Sequence, residues 1–187
     1  MRASHDSRCT LTALAVALAL AASPAFADKP AFGPNDVPTV FFIDKSDDHN
    51  RVDYGLRLDA ACQPAGKDAL VPYWREFERS PPVRVHPLGW FEHVAYGIAD
   101  QRLVRRGPAG AEYQARLKRL GRTLVIVTRR EADGRCSAVA HALVAGVPGA
   151  VLDSAFVKLR RPMSVDYVEI HGRNPATGAR LEERVRE

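Results

Sequence analysis

Between Val52 and Asp59, apolar Val52, Tyr54, Leu56 and Leu58 alternate with Asp53, Gly55, Arg57 and Asp59. A period of two sends the two sets to opposite faces of an extended chain, so this stretch reads as a half-buried β-strand. The short apolar run Val40 to Ile43 precedes it, and the polar residues Asp44 to Arg51 between them predict a hairpin. Leu70 to Glu78 reads as a third strand, with Val71, Tyr73 and Phe77 on one face and Trp74 on the other. Tyr113 to Lys118 alternates again, Thr123 to Arg130 contains the apolar run Leu124 to Val127, and Asp133-Gly134 supplies a hairpin turn after it. Strand-like runs follow at Ser137 to Val147, Ala150 to Lys158, Val165 to His171 and Ala179 to Val185. Pro148-Gly149, Arg161-Pro162 and Asn174 to Gly178 separate them.

One segment departs from this pattern. Phe91, Val94, Ala95 and Ile98 follow the i, i+3, i+4, i+7 spacing of an amphipathic helix, expected over Trp90 to Ala99. Gly97 inside it costs about 1 kcal/mol relative to alanine. Pro81, Pro82 and Pro87 bar regular structure just before it. A parallel sheet needs a crossover helix between most strands, and this chain offers one. The expected fold is therefore mainly β, an antiparallel sandwich or barrel-like sheet with one short α-helix.

The first residues are of another kind. Arg2 and Arg8 precede an apolar run from Leu11 to Ala22, then Ser23-Pro24-Ala25-Phe26-Ala27, the small-residue pattern of a signal-peptidase site. Cleavage is expected after Ala27; an uncleaved anchor is the rival, but the run is short of the roughly 20 residues that span a bilayer. The expected divisions are a signal peptide at 1–27, an extended segment at 28–38 and a single β-rich domain at 39–187, working in the periplasm or outside the cell. Of three cysteines, Cys62 and Cys136 remain after cleavage. In an oxidising compartment they most simply form one disulfide, two free thiols being the alternative.

Without residues 1–27 the chain has 25 basic and 21 acidic residues, a net of +4. Ten basic residues against three acidic ones fall between Arg102 and Arg135. If Arg116, Lys118, Arg129 and Arg130 share a solvated sheet face, they form a cationic patch for anionic envelope polymers or lipid head groups; otherwise they keep the domain soluble. Export and the lack of interleaved aromatics argue against nucleic acid.

The loop Lys45-Ser46-Asp47-Asp48-His49 gathers two carboxylates and an imidazole, a set able to hold a hard or borderline cation. It lacks the alternate oxygens and glycine of a calcium loop, and Ser, Asp and Asn are also ordinary turn residues. Asp47, Asp48 and His49 are thus candidate metal ligands or turn residues. His86, His93, His141 and His171 are scattered and form no H-E-x-x-H pair. Nucleophile elbows and phosphate loops are also missing from the sequence. Tyr54, Tyr73, Trp74, Trp90, Phe91 and Tyr96 either line a ligand cavity or fill the core. Tyr54 and Trp74 join the four basic residues as candidate ligand contacts, and no cofactor is expected.

The succession VFFIDKSDDHNRVDYGLRLDAAC, VPYWREFE, AYGI and YVEIHGRNPATGARLEERV resembles a family of exported bacterial proteins known as domain of unknown function 4833. The resemblance spans the chain beyond the signal peptide and implies a single exported domain; it carries no activity and no site residue with it. The leading expectation is an exported binding module for a small or amphiphilic ligand or an anionic envelope component. An envelope hydrolase or metal-dependent enzyme using Asp47, Asp48 and His49 is the second expectation. A structural domain that adds a partner strand at a sheet edge is the third.

Overall fold

A computed structural model describes residues 37–46, 49–77, 84–108, 110–160 and 164–186. The expected signal peptide, most of the extended segment 28–38, Asp47, Asp48, Pro81, Pro82, Arg161 and Pro162 lie outside the described residues. Among the described residues are eleven strands and one helix: β1 (Thr39–Lys45), β2 (Arg51–Leu56), β3 (Leu70–Glu76), β4 (Arg84–Pro87), α1 (Trp90–Tyr96), β5 (Ile98–Gly107), β6 (Gly110–Leu117), β7 (Thr123–Arg130), β8 (Cys136–Val144), β9 (Val147–Arg160), β10 (Ser164–Arg173) and β11 (Arg180–Val185).

All eleven strands belong to one sheet that does not close. Its main path runs β4-β3-β2-β1-β9-β8-β7-β6-β5, with β10 on β9 and β11 on β10. Neighbours are antiparallel except β1 and β9, which run parallel through Phe42–Lys45 and Ser154–Val157. The strand-borne core lies on one face, built from alternate residues: Phe41 and Ile43 of β1, Val52, Tyr54 and Leu56 of β2, Tyr113 and Leu117 of β6, Leu124 and Ile126 of β7, and, on β9, Ala155 and Val157 with Leu152 across a register shift. Side chains join β3 to β5: Gln101 Oε1 accepts from Leu70 N at 3.0 Å and from the Tyr113 hydroxyl at 2.8 Å.

Cys62 and Cys136 form a disulfide with Cα atoms 5.2 Å apart. Cys62 sits at φ 58° in a turn that Asp59 organises by accepting from Ala61 N and Gln63 N. The turn is tied to the sheet on both sides of the bond. Thr128 Oγ1 donates to Cys62 O at 2.7 Å, and Gln63 Nε2 donates to Gly107 O and Gly110 O at 3.0 Å each.

Several sequence expectations are corrected. The helix stops at Tyr96 because the chain turns straight into β5, and Gly97 is its cap rather than an interior residue. A Cβ at Gly97 would sit 2.2 Å from His93 O, so the turn needs glycine. No α1 residue is buried, although its spacing is amphipathic. Strand β5 was not anticipated; its run Ile98 to Gly107 has few apolar residues, and antiparallel pairing with β6 specifies it. Pro87 ends strand β4, an edge strand where a missing N–H is tolerated. The β8–β9 turn is Ala145-Gly146, at φ 49° and 77°, the positive angles of a tight hairpin turn. Pro148 and Gly149 fall inside β9 near a register shift.

The disulfide closes a loop of 74 positions, for which chain entropy gives about 4 kcal/mol. Replacing both cysteines by serine is expected to lower the unfolding free energy by about 2 to 4 kcal/mol. Urea denaturation of the double variant beside the oxidised parent measures the loss.

Candidate functional site

At one end of the core the apolar face is not filled. A cavity of about 310 Å³ lies between Ile43 of β1, Tyr54 of β2, Ala95 and Tyr96 of α1, Leu117 at the end of β6, Arg119 and Leu120 beyond it, Val157 and Leu159 of β9, and Ser164, Val165 and Val168 of β10. That volume is in the range of small-molecule sites and holds roughly ten groups the size of water. Its wall is mostly aliphatic. Its polar residues among the described ones are Tyr54, Tyr96, Ser164 and the exposed Arg119.

The local sequence explains each wall. Tyr54 is an inward position of β2, stacked on Phe41 with ring centroids 4.4 Å apart. Its hydroxyl donates to Tyr96 O at 2.6 Å and pins α1 over the cavity. Burial, and secondarily the nearby Tyr96, pushes the Tyr54 phenol well above its usual range, so it stays a neutral donor. Lys118 N donates to Gly97 O at 3.0 Å, bringing the segment that carries Arg119 against the end of α1.

Tyr54 therefore belongs to the cavity, and so does Tyr96 among the aromatics. Trp74 does not line it; Trp74 is buried, with Lys45 Nζ 4.3 Å above its ring. Tyr73 is buried on the opposite face, where its hydroxyl meets Thr39 Oγ1 at 2.8 Å. Arg116 and Arg129 do not meet: Arg116 pairs with Thr123 at one end of β7, and Arg129 lies six residues on, roughly 20 Å along the strand. Lys118 is exposed at the Arg116 end. Arg129 Nε bonds Glu131 at 2.8 Å, and Arg130 bonds the carbonyls of Gly134 and Ala60. Ser46 is tied to β9, with Ser46 N donating to Val157 O and Leu159 N donating to Ser46 Oγ. His49 is exposed, while Asp47 and Asp48 lie outside the described residues. His141 is held by Gly149 O at 3.0 Å from its Nδ1.

The face of the sheet opposite the cavity carries a charged cluster that the strand pattern did not disclose. Asp53 is fully buried, with Arg51 Nε 2.7 Å from one carboxylate oxygen and Arg75 Nε 2.5 Å from the other. Asp44, across the ladder from Arg51, has its pKa raised by burial and by Asp53, against the opposing pull of Arg51 and His171. Arg119, Ser164, Val165 and Val168 had no mark in the sequence that set them apart, since the cavity draws on six elements and a turn.

Asp53→Asn leaves two guanidinium groups without their counter-ion and is expected to cost about 3 kcal/mol of stability. Asp44 acts in the other direction. Its raised pKa favours folding below the ordinary carboxylate range, and that contribution is lost as pH rises through the folded-state value. Asp44→Asn should therefore be more stable than the parent at neutral pH, with the gap closing as both are acidified. Urea titrations of the two single variants from about pH 3 to 7 check both signs.

Comparison with curated proteins and with solved structures finds no match. A family model described as Domain of unknown function (DUF4833) matches residues 41–184, nearly the whole sheet from β1 to β11. The chain belongs to the family of domain of unknown function 4833.

Proposed function

We propose that this protein is an exported binding module that holds a single-chain amphiphile, its tail in the cavity and an anionic head group at Arg119. The observation that carries this is the cavity itself, about 310 Å³, walled by Ile43, Leu117, Leu120, Val157, Leu159, Val165 and Val168. Apolar walls favour a hydrocarbon tail because burying each methylene contributes about 0.8 kcal/mol. Arg119 and Ser164 stand in the same lining and supply a cation and a hydroxyl for a carboxylate or phosphate. The N-terminal residues, with their Ala-x-Ala pattern, support action in the periplasm or outside the cell.

Strand addition at an edge is less well supported. Strand β11 pairs with β10 alone among the described residues, but its sequence Arg-Leu-Glu-Glu-Arg-Val is mostly charged, as edges that resist pairing are. The enzyme reading rests on Asp47, Asp48 and His49, of which His49 alone lies among the described residues, where it is exposed.

Titration with a fluorescent fatty acid tests the proposal. Val168→Trp, which fills the cavity, should abolish binding, and Arg119→Glu should weaken it about tenfold while sparing an uncharged alcohol of the same chain length. Equal binding by the parent and Val168→Trp, both folded by circular dichroism, would remove the cavity from consideration.

A further inference from the structure

Beside the cavity, α1 presents apolar side chains to solvent. Trp90 is 73% exposed, Phe91 67% and Val94 44%. Phe91 and Val94 are the first two members of the amphipathic stripe, which in a helix of a globular domain faces the core. Here the helix has seven residues and none is buried, so its own burial does little to hold it, and an isolated helix of that length is unstable in water. It is held by others: Tyr54 at Tyr96 O and Lys118 N at Gly97 O. The fold thus fixes an exposed apolar helix in place instead of letting it pack inward.

We propose that α1 docks the protein on an anionic lipid surface, with Trp90, Phe91 and Val94 entering the interface and Lys118 and Arg119 facing the head groups. Three observations converge. Trp and Phe are side chains that settle at a membrane–water boundary. The segment after β6 brings cations to the helix: the Lys118 backbone is bonded to the α1 cap, and Arg119 shares the cavity lining with Ala95 and Tyr96. Cations near an anionic leaflet add attraction that salt weakens. Finally, α1 walls the cavity, so docking through it puts the cavity beside the phase in which an amphiphile dissolves.

A second copy of this chain is a poorer occupant. Three partly exposed side chains offer roughly 400 Å² at most, about half of the ~800 Å² that each partner contributes to a stable complex. Lipid insertion demands no such area and no matching shape.

The purpose of docking rests on the cavity reading; the docking itself does not, and the experiment separates them. Protein recovered after its own export and processing, with its N-terminus checked by mass spectrometry, is sedimented with vesicles of phosphatidylglycerol and, in parallel, of phosphatidylcholine. Binding to the anionic vesicles is expected, falling at high salt and dropping at least tenfold in Phe91→Ser/Val94→Ser. Brominated lipid should quench tryptophan fluorescence in the parent and not in Trp90→Phe, since Trp74 is buried. Binding of the soluble fluorescent fatty acid without vesicles should be unchanged in the serine variant, which also reports that it is folded. No sedimentation with phosphatidylglycerol overturns the proposal. So does sedimentation that Phe91→Ser/Val94→Ser leaves intact, or a dimer at micromolar concentration that those substitutions dissolve. Failure of the fatty acid to bind the parent, with vesicle docking intact, would fault the cavity reading alone.

Discussion

Strand β9 makes the pairings on which the rest of the sheet hangs. Its 14 residues pair with β8 through Val147–Val151, with β1 through Ser154–Val157, and with β10 through Val151–Arg160. Strand β1 is thereby joined to a strand formed more than a hundred residues later, by a parallel ladder that local turns cannot set up. Long-range pairing of this kind must close large loops before any ladder bond compensates the lost entropy. The Cys62–Cys136 bond shortens that problem by joining the β2–β3 connection to the start of β8. Thr128 and Gln63 then fix the same junction with hydrogen bonds to backbone carbonyls.

The cavity follows from that arrangement. A sheet with one apolar face must curve to bury it, and at the α1 end the curve is completed by side chains from several elements that do not interdigitate fully. Packing in protein interiors normally leaves few voids larger than a water molecule, so a partly open cleft of about 310 Å³ leaves its apolar lining with fewer contacts, which the rest of the core must outweigh. Tyr54 illustrates the compromise. Its ring stacks on Phe41 as core, while its hydroxyl gives its proton to the Tyr96 carbonyl, leaving only its acceptor side to a ligand.

How much of this was legible in the sequence depended on how local the determinant was. Alternation in Val52 to Leu58 and in Tyr113 to Leu117 is written residue by residue, and β2 and β6 appear there. Asp133-Gly134 likewise makes the β7–β8 turn, with Gly134 at φ 82°. Strand β5 was illegible because an edge strand with Ile98 and Leu103 as its main apolar contacts carries hardly any pattern; β6 imposes its conformation. The Ala145-Gly146 turn was missed because alanine rarely takes a positive φ, whereas Pro148-Gly149 looked like the natural break. Of the candidate ligand residues only Tyr54 lines the cavity, since inward alternation was visible but convergence with Arg119 and Val168 was not.

Helix α1 shows why a correct periodicity can still mislead about burial. The spacing of Phe91, Val94, Ala95 and Ile98 is helical, yet Gly97 ends the helix before the stripe is complete, and Ile98 passes into β5. What remains is Ala95 turned to the cavity, with Phe91 and Val94 turned to solvent. Helical spacing of apolar residues states that one side is apolar and leaves open whether that side meets the protein's own core. In a chain this basic, with an apolar cavity immediately behind the helix, Trp90 and Phe91 pack edge to face on each other, ring centroids 4.8 Å apart, and stay exposed. Contiguous exposed apolar patches rimmed by polar residues mark interaction surfaces. The same short segment therefore has two sides: one closes the cavity, and the other is the exposed apolar side proposed to dock on lipid.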